Sequence, residues 1–304
     1  MKKRFYIIVA IIFGLLIASY YALNFFINNY LAYSSIRPSR FITDYSIVNP
    51  SKLNLKYEDF SITVEDTIKL RGWYVYSGSI KPKGTIFLLH GIGSNRSAML
   101  SNAKLLSSQG FNSVLYDSRA CGKSGGLNCT FGYYEKEDLS SYIDSVQILF
   151  PNSEPYGALG HSLGAAVVLQ ALENDKRIKC AVIESSFADL RNIIHDYFAR
   201  MFYIRIDCIP DKALERSEQI AHFKVDDVNP AKSALHIYEP VMIIHGLKDE
   251  RISYKDGDEI FNNLKSPIKK WYAIKDAGHN NVSQVGGLKL DSAIVGFFNE
   301  NLHN

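Results

Sequence analysis

Six short apolar runs alternate with helical stretches along most of the chain, and this order strongly limits its fold. Strands that are covered on both faces read as continuous apolar runs, because neither face meets water. The predicted buried strands are 85–89, 113–116, 156–159, 180–183, 241–244 and 270–274. The helix candidates are 97–109, 135–150, 165–174, 255–264 and 288–301. This pattern predicts an α/β fold with a parallel sheet between helices on both faces.

Two further segments, 60–64 and 68–75, precede these runs and alternate apolar with polar residues. Alternation with a period of two is typical of a strand with one buried face. The short polar stretch from Glu65 to Thr67 between them predicts an antiparallel hairpin. With this hairpin the predicted sheet has eight strands, most of them parallel.

The interval 190–238 is much longer than the loop of about 4 to 6 residues that usually joins such elements. Ile194, Phe198 and Met201 recur at helical spacing in its first half, which predicts a helical insertion with one apolar stripe. This helix is either a cap over a pocket for an apolar substrate or an element that packs on the sheet. The sequence leaves both interpretations open.

The N-terminal residues 5–27 carry no charge and follow Lys2, Lys3 and Arg4. A helix of this length spans about 34 Å, enough to cross a hydrocarbon core about 30 Å thick. A cleaved signal peptide has a shorter apolar region of about 7 to 15 residues that ends in small residues, whereas residues 20–26 contain tyrosines and phenylalanines. We therefore predict an uncleaved transmembrane anchor.

The chain divides, in this prediction, into a cytoplasmic tip and anchor at 1–27, a linker at 28–56 and a folded domain at 57–304. The linker is assigned because its Asn, Ser, Pro and aromatic residues follow no sustained period. The basic residues and free amine before the anchor outnumber Arg37 and Arg40 after it. The positive-inside rule then predicts a cytoplasmic N-terminus and a folded domain outside the cytoplasm.

Charge and cysteine usage exclude other classes of protein. The 34 basic and 31 acidic residues are mixed, so no basic stripe exists and no nucleic-acid partner is predicted. The four cysteines have no Cys-x-x-Cys spacing, so no metal site is predicted. Cys121 and Cys129 bracket one glycine-rich loop, and the sequence leaves open whether they form a disulfide or remain free thiols.

Gly160-His161-Ser162-Leu163-Gly164 matches the nucleophile elbow G-x-S-x-G. Such an elbow needs a strand before it and a helix after it, because only a sharp turn between them raises the serine oxygen into a site. Glycines on both sides let the backbone pass without collision. The strand 156–159 and the helix 165–174 meet both conditions. Ser162 is the predicted nucleophile.

A serine hydroxyl needs an imidazole to take its proton and a carboxylate to orient that imidazole. The chain order in this architecture is serine, acid, histidine. His279 follows the last strand on a short loop, and Asp249 follows the strand 241–244. We predict His279 as the general base and Asp249 as the orienting acid. Three other histidines adjoin a glycine at a strand end and are interpreted as structural: His90, His161 and His245.

The tetrahedral oxyanion of acyl transfer also needs hydrogen-bond donors. The backbone N–H of Leu163 follows the nucleophile, and we predict the N–H of Ile92, in the loop after strand 85–89, as the second donor. The glycine-rich segment 117–126 lacks the G-x-x-x-x-G-K-[ST] spacing of a phosphate-binding loop, so it is interpreted as a structural loop.

These motifs together resemble the α/β-hydrolase family, and more closely its membrane-associated serine hydrolases of the ABHD12, ABHD13, ABHD17 or BEM46-like type and bacterial serine aminopeptidase-like hydrolases. The segments that carry the resemblance are 90–96, 117–126, 132–135 with Asp138, 160–164, 184–187, 246–249 and 277–279. One departure is Ala120-Cys121, where relatives usually have Gly-His or Gly-Tyr. The resemblance implies an α/β-hydrolase fold, and it leaves lysophospholipids, thioesters, simple esters and peptides open as substrates.

The predicted function is hydrolysis of a carboxylic ester through an acyl-enzyme on Ser162, with no metal or organic cofactor. The anchor and the apolar insertion favour an acyl-lipid or other apolar ester, so the predicted partner is a small-molecule or lipid ester substrate. The alternatives are a serine amino- or oligopeptidase and a catalytically inactive hydrolase fold that serves as a binding module. The presence of all three residue types in the expected order argues against the inactive fold.

Overall fold

The central sheet has the eight predicted strands, in a computed structural model that describes residues 2–65 and 67–303. The strands are β1 Tyr57–Val64, β2 Ile68–Val75, β3 Thr85–Leu89, β4 Asn112–Tyr116, β5 Tyr156–His161, β6 Ile178–Glu184, β7 Val241–Gly246 and β8 Lys269–Ile274. They lie in the order β1-β2-β4-β3-β5-β6-β7-β8. β1 and β2 form the predicted antiparallel hairpin, β2 is antiparallel to β4, and the other neighbours are parallel. The predicted sheet is confirmed.

Helices cover both faces of this sheet. They are α1 Lys2–Phe26, α2 Ala32–Ile36, α3 Leu100–Ser108, α4 Glu135–Leu149, α5 Leu163–Asn174, α6 Leu190–Phe202, α7 Cys208–Ala221, α8 Pro230–Ser233, α9 Tyr254–Asn263 and α10 Val282–Asn301. Successive strand residues point to opposite faces, and in β3 Phe87 packs with α4, α5 and α9, whereas Leu88 packs with α3 and α10. The five helices predicted from the sequence are present, with ends shifted by a few residues.

The insertion after β6 contains α6, α7 and the short α8. The predicted apolar stripe lies on α6, where Ile193 is buried and Ile194 packs against the main core. Further along the same helix Tyr197 lines a pocket at the carboxyl edge of the sheet. The first turns of this helix therefore pack on the core and its later turns border a pocket, while a role as a cap over an apolar substrate stays a prediction.

The N-terminal helix is long and apolar enough to cross a membrane, with a mean hydropathy of 2.3 in its most apolar window. It does not end at residue 27, but continues through a wider π turn, Ile27–Leu31, into α2. Burial against α7 explains the extension, since Ala32 and Ile36 are fully buried. Ser217 on α7 also donates a hydrogen bond to the carbonyl of Ala32 at 3.0 Å.

The rest of the predicted linker is also bound to the folded domain. Tyr45 is buried, and its hydroxyl donates to the two carboxylate oxygens of Asp117 at 2.9 and 3.0 Å. The guanidinium of Arg96 lies 4.3 Å from the centres of the Tyr45 and Trp73 rings. These contacts hold the chain between helix and hairpin against the sheet, a role that its mixed composition did not indicate.

Asp117 begins the glycine-rich loop 117–126 and organises it from the inside. Besides the Tyr45 hydroxyl, its carboxylate accepts the backbone N–H groups of Arg96 and Lys123, each at 2.8 Å. A Cβ on Gly122 would lie 2.4 Å from this carboxylate, which requires glycine there. These contacts agree with a structural role for the loop. Cys121 and Cys129 are both buried free thiols, and burial raises the pKa of Cys121 to about 12.

Candidate active site

Ser162 lies at the turn between β5 and α5, in a backbone conformation that side chains rarely adopt. Its φ of 55° and ψ of −116° place it in a sparsely populated region, and such strain is common where a side chain is held for chemistry. The flanking glycines make the turn sterically allowed. A Cβ on Gly160 would lie 2.3 Å from the carbonyl oxygen of Gly164, and one on Gly164 would lie 2.3 Å from that of Leu89. The chain therefore adopts the nucleophile-elbow geometry that the motif predicts.

The structure brings the three predicted side chains into one row. Nε2 of His279 lies 3.0 Å from Oγ of Ser162, although 117 residues separate them. Nδ1 of the same ring lies 2.7 Å from Oδ2 of Asp249. Both distances are within hydrogen-bond range. With Nδ1–H donating to the carboxylate, Nε2 is free to accept the serine proton.

Asp249 is held as an anion behind His279. Its side chain is fully buried, and Oδ1 accepts the backbone N–H groups of Arg251 and Ile252, both at 2.9 Å. Burial by itself raises the pKa of this carboxyl, but the contacts with His245 and His279 outweigh burial and hold the pKa well below its ordinary value. Nε2 of His245 lies 3.5 Å from Oδ2. The carboxylate therefore stays ionised and fixes the tautomer of His279.

Leu163 follows Ser162 as the first residue of α5, and Ile92, in the loop after β3, lines the same pocket as Ser162. Within residues 2–65 and 67–303, the backbone N–H of neither residue donates a hydrogen bond to another protein group. The N–H of Leu163 also belongs to the positive end of the α5 dipole. Two unpaired donors beside a nucleophile suit a developing oxyanion, and their role in catalysis remains a prediction.

The serine opens into a pocket of about 360 Å³, a volume in the usual range for small-molecule sites of about 300 to 1,000 Å³. Its walls mix polar residues with apolar ones such as Ile92, Met99 and Leu159. The lining residues include Ser94, Ser101, Asn102, His161, Glu184, Tyr197, Arg251, Asn280 and Ser283. Of these, the sequence pattern indicates His161 only as a structural residue, and Ser94 and Glu184 only as members of the segments that carry the family resemblance.

His161 belongs to the pocket wall as well as to the elbow. Its Nδ1 lies 2.9 Å from Oε1 of Glu184, and its ring centre lies 5.1 Å from that of His279. The signal that would have found this pair is the sheet order, because β5 and β6 are parallel neighbours and His161 stands opposite Glu184 in the register. Without that order, the two residues have no visible relationship in the sequence.

The other two histidines at strand ends make the contacts expected of structural residues. Nδ1 of His90 lies 2.8 Å from the carbonyl oxygen of Gly91, and its Nε2 accepts the N–H of Ser118 at 3.1 Å. Burial lowers the pKa of His90, so the ring is neutral and joins the loops after β3 and β4. His245 donates from Nε2 to the carbonyl of Ile252 at 3.0 Å, which supports the loop that carries Asp249.

Comparison with known proteins agrees with this geometry. Residues 84–220 match the family described as alpha/beta hydrolase fold. The protein YfhR of Escherichia coli K12 is 25% identical over 228 residues, which cover 73% of each chain. YfhR of Salmonella typhimurium is 28% identical over 229 residues, covering 73% of this chain and 74% of that protein.

An esterase of Pyrococcus furiosus, Pf2001, has a similar structure, with a TM-score of 0.73 and 26% identity over 88% of this chain and 98% of its own. The acylaminoacyl peptidase of Pyrococcus horikoshii shares the fold with a TM-score of 0.65, at 20% identity over 82% of this chain and 42% of its own. These matches agree with the strand order of the sheet and with the elbow between β5 and α5. This chain has the α/β-hydrolase fold.

Proposed function

We propose that this protein is a serine hydrolase that cleaves a carboxylic ester through an acyl-enzyme on Ser162. The observation that carries the proposal is the row of hydrogen bonds from Ser162 through His279 to Asp249. Fold membership alone supports only a hydrolase scaffold, because the α/β-hydrolase fold hosts many activities. The row supplies what the scaffold lacks: His279 as a base in contact with the hydroxyl of Ser162, and Asp249 as a carboxylate that orients this base.

In the acylation step, Nε2 of His279 takes the proton of Ser162 while Oγ attacks the ester carbonyl carbon. The tetrahedral oxyanion accepts hydrogen bonds from the N–H groups of Ile92 and Leu163. The bond to the leaving oxygen then breaks, and protonated His279 donates its proton to the departing alcohol. Water, deprotonated by the same ring, then attacks the acyl-enzyme; the bond to Oγ breaks, the acid leaves, and His279 returns the proton to Oγ of Ser162. These steps need no metal or organic cofactor.

The pocket favours an ester over a peptide with a free amino terminus. An aminopeptidase holds the substrate ammonium group with a carboxylate, and Glu184 is the one acidic residue among those that line the pocket. Its Oε1 already faces Nδ1 of His161, and its side chain is only 8% exposed. Since this carboxylate has a protein partner, we place the amino- or oligopeptidase alternative second.

The proposal includes a membrane location. The N-terminal helix would cross the bilayer with its basic tip in the cytoplasm, and the folded domain would lie on the other side. Protease treatment of sealed vesicles tests the orientation, because a domain outside the cytoplasm is degraded in spheroplasts and protected in inverted vesicles.

Labelling with a fluorophosphonate probe tests the nucleophile. The full chain in detergent and Ser283→Ala, which changes another serine of the pocket, are expected to be labelled, and Ser162→Ala is expected to lose labelling. The same three proteins are then assayed with short esters and with an amino-acid amide. Labelling that persists in Ser162→Ala contradicts the nucleophile assignment, and faster cleavage of the amide favours the peptidase.

A further inference from the structure

A second cavity, of about 200 Å³, lies between the N-terminal helix and the insertion, and its walls are largely apolar. Three elements form it: the end of the N-terminal helix, α6 and α7. The lining residues are Leu31, Ser34, Ser35, Ile194, Tyr197, Phe198, Met201, Phe202, Pro210, Ala213 and Leu214. We call it the chain cavity. An apolar cavity offers water few hydrogen-bond partners and is suited to a hydrocarbon group.

Tyr197 connects the chain cavity with the candidate active site. Its side chain belongs to the wall of both, so the chain cavity and the pocket around Ser162 adjoin the same residue. The two spaces differ in chemistry, because the pocket has hydroxyl, amide and guanidinium groups on its walls and the chain cavity has aliphatic and aromatic ones. A molecule that fills both must therefore have a polar part and an apolar part.

The chain cavity also adjoins the helix that is apolar enough to span a membrane. Its Leu31, Ser34 and Ser35 follow α1 without a break in the helix. The hydroxyl of Ser35 lies 2.9 Å from that of Ser217 on α7, so the helix is fixed to the insertion. A bilayer around α1 would thus lie close to the cavity.

Exposed apolar residues at the end of α6 add to this surface. Met201 is 65% exposed and Ile204 is 52% exposed, and Tyr203 between them is 96% exposed. A cluster of exposed apolar side chains beside a transmembrane segment is suited to the lipid interface. The end of α6, which lines the chain cavity through Met201 and Phe202, therefore presents exposed apolar surface.

We infer that the chain cavity binds the acyl chain of a membrane-derived ester while the ester carbonyl lies at Ser162 and the polar alcohol part occupies the larger pocket. The inference rests on the proposed ester hydrolysis and adds to it a substrate class, lipid esters, and a place for the chain. Its support is the shared wall at Tyr197, the apolar lining, and the helix that joins the cavity to the membrane.

A series of p-nitrophenyl esters from acetate to dodecanoate, assayed with the full chain in detergent, tests this inference. We expect kcat/KM to rise about threefold to fourfold for each added methylene group until the cavity is full. Met201→Trp and Ser34→Trp fill the cavity from opposite walls at exposed positions. Each is expected to lower kcat/KM for octanoate at least tenfold and to leave that for acetate within about twofold, because only the long chain enters the cavity.

Asn192→Trp is the matched control. It adds the same side chain to an exposed position of α6, nine residues before Met201 and on the opposite side of the helix. We expect it to leave both esters unaffected. A wild-type protein that hydrolyses acetate and octanoate equally well, or filled variants that keep full octanoate activity, overturns the chain site and leaves ester hydrolysis standing. If no ester is hydrolysed and fluorophosphonate does not label Ser162, the proposed function itself fails.

Discussion

Nδ1 of His161 and Oε1 of Glu184 lie 2.9 Å apart, on adjacent strands, directly beside the ring of His279. Glu184 also accepts the backbone N–H of Ser162 through its own carbonyl oxygen at 2.8 Å. Glu184 therefore contacts Ser162 through its backbone carbonyl. Its side chain contacts His161, the residue before Ser162. This arrangement makes Glu184 a positioning residue for the elbow.

Glu184→Gln tests that role. The amide replaces a charged acceptor by a neutral one, and charge-assisted hydrogen bonds are roughly twice as strong as neutral ones. We expect kcat to fall about fivefold to tenfold, equivalent to about 1 kcal/mol, with KM nearly unchanged. Short-chain ester kinetics give the two parameters separately.

A double-mutant cycle with His161→Phe supplies the control. If the two side chains act as a pair, the losses in free energy of unfolding and in kcat do not add, and the coupling is about 1 kcal/mol. Strictly additive losses, or an effect on KM alone, would contradict the positioning role.

Asp249→Asn changes the proton on His279 without changing the shape of the side chain. The amide oxygen can still accept the N–H groups of Arg251 and Ile252, but the amide NH₂ then faces Nδ1 of His279. This arrangement favours the tautomer with the proton on Nε2, which cannot take the proton of Ser162. We expect kcat to fall by about 10³ to 10⁴.

Glu250→Gln, at the exposed neighbouring position, is the control for Asp249→Asn and is expected to retain activity within about twofold. Circular dichroism and thermal unfolding show whether each variant is folded. A folded Asp249→Asn protein with more than a tenth of the wild-type kcat would contradict the proposal that Asp249 orients His279.

The oxyanion donors are tested at Ile92, since proline removes the backbone N–H that a side-chain change leaves in place. Loss of one such donor costs about 2.7 to 4 kcal/mol of transition-state stabilisation, so Ile92→Pro is expected to lower kcat by about 10² to 10³. Ile92→Ala keeps the N–H and is expected to stay within about threefold of wild type, because Ile92 is 41% exposed and loses little packing. Equal losses in the two folded variants would assign the effect to the side chain.

Local patterns predicted the fold and the three side chains that the structure brings together at Ser162, because each signal lies in a short stretch of chain. Apolar runs identified the strands, and the elbow needs only its five residues with a strand before and a helix after. His279 and Asp249 could be chosen because each follows a strand of a parallel sheet, and all such strand ends meet at one edge.

Contacts between distant segments could not be predicted in the same way. Ser35 and Ser217 are 182 residues apart, and nothing in either segment indicates that the N-terminal helix continues onto α7. The burial of Tyr45 depends equally on Asp117, which lies 72 residues away. The chain cavity lies between the N-terminal helix and the insertion, which the contact between Ser35 and Ser217 joins, so only the structure reveals it.

The raised pKa of Asp256 on α9 leads us to expect that the stability of the protein changes with pH. Burial raises the pKa of its carboxyl to about 6; His245 opposes this increase, and Asp196 and Glu259 add smaller increases. In the unfolded chain the pKa is about 3.9, so the folded state binds the proton more tightly. The free energy of unfolding therefore gains a contribution as pH falls from about 6.5 to 4, and at pH 7.5 the ionised, half-buried group lowers stability.

Asp256→Asn removes this titration. Allowing for partial exposure, we expect the variant to be about 1 to 2 kcal/mol more stable than wild type at pH 7.5 and to lose this advantage as pH approaches 4. Chemical denaturation at pH 7.5, 6 and 5 measures the difference. Asp258→Asn, at an exposed position of the same helix, reports the effect of removing a charge from the helix alone. A variant that is less stable than wild type at pH 7.5 would mean that the carboxylate of Asp256 is stabilised by its surroundings rather than penalised by burial.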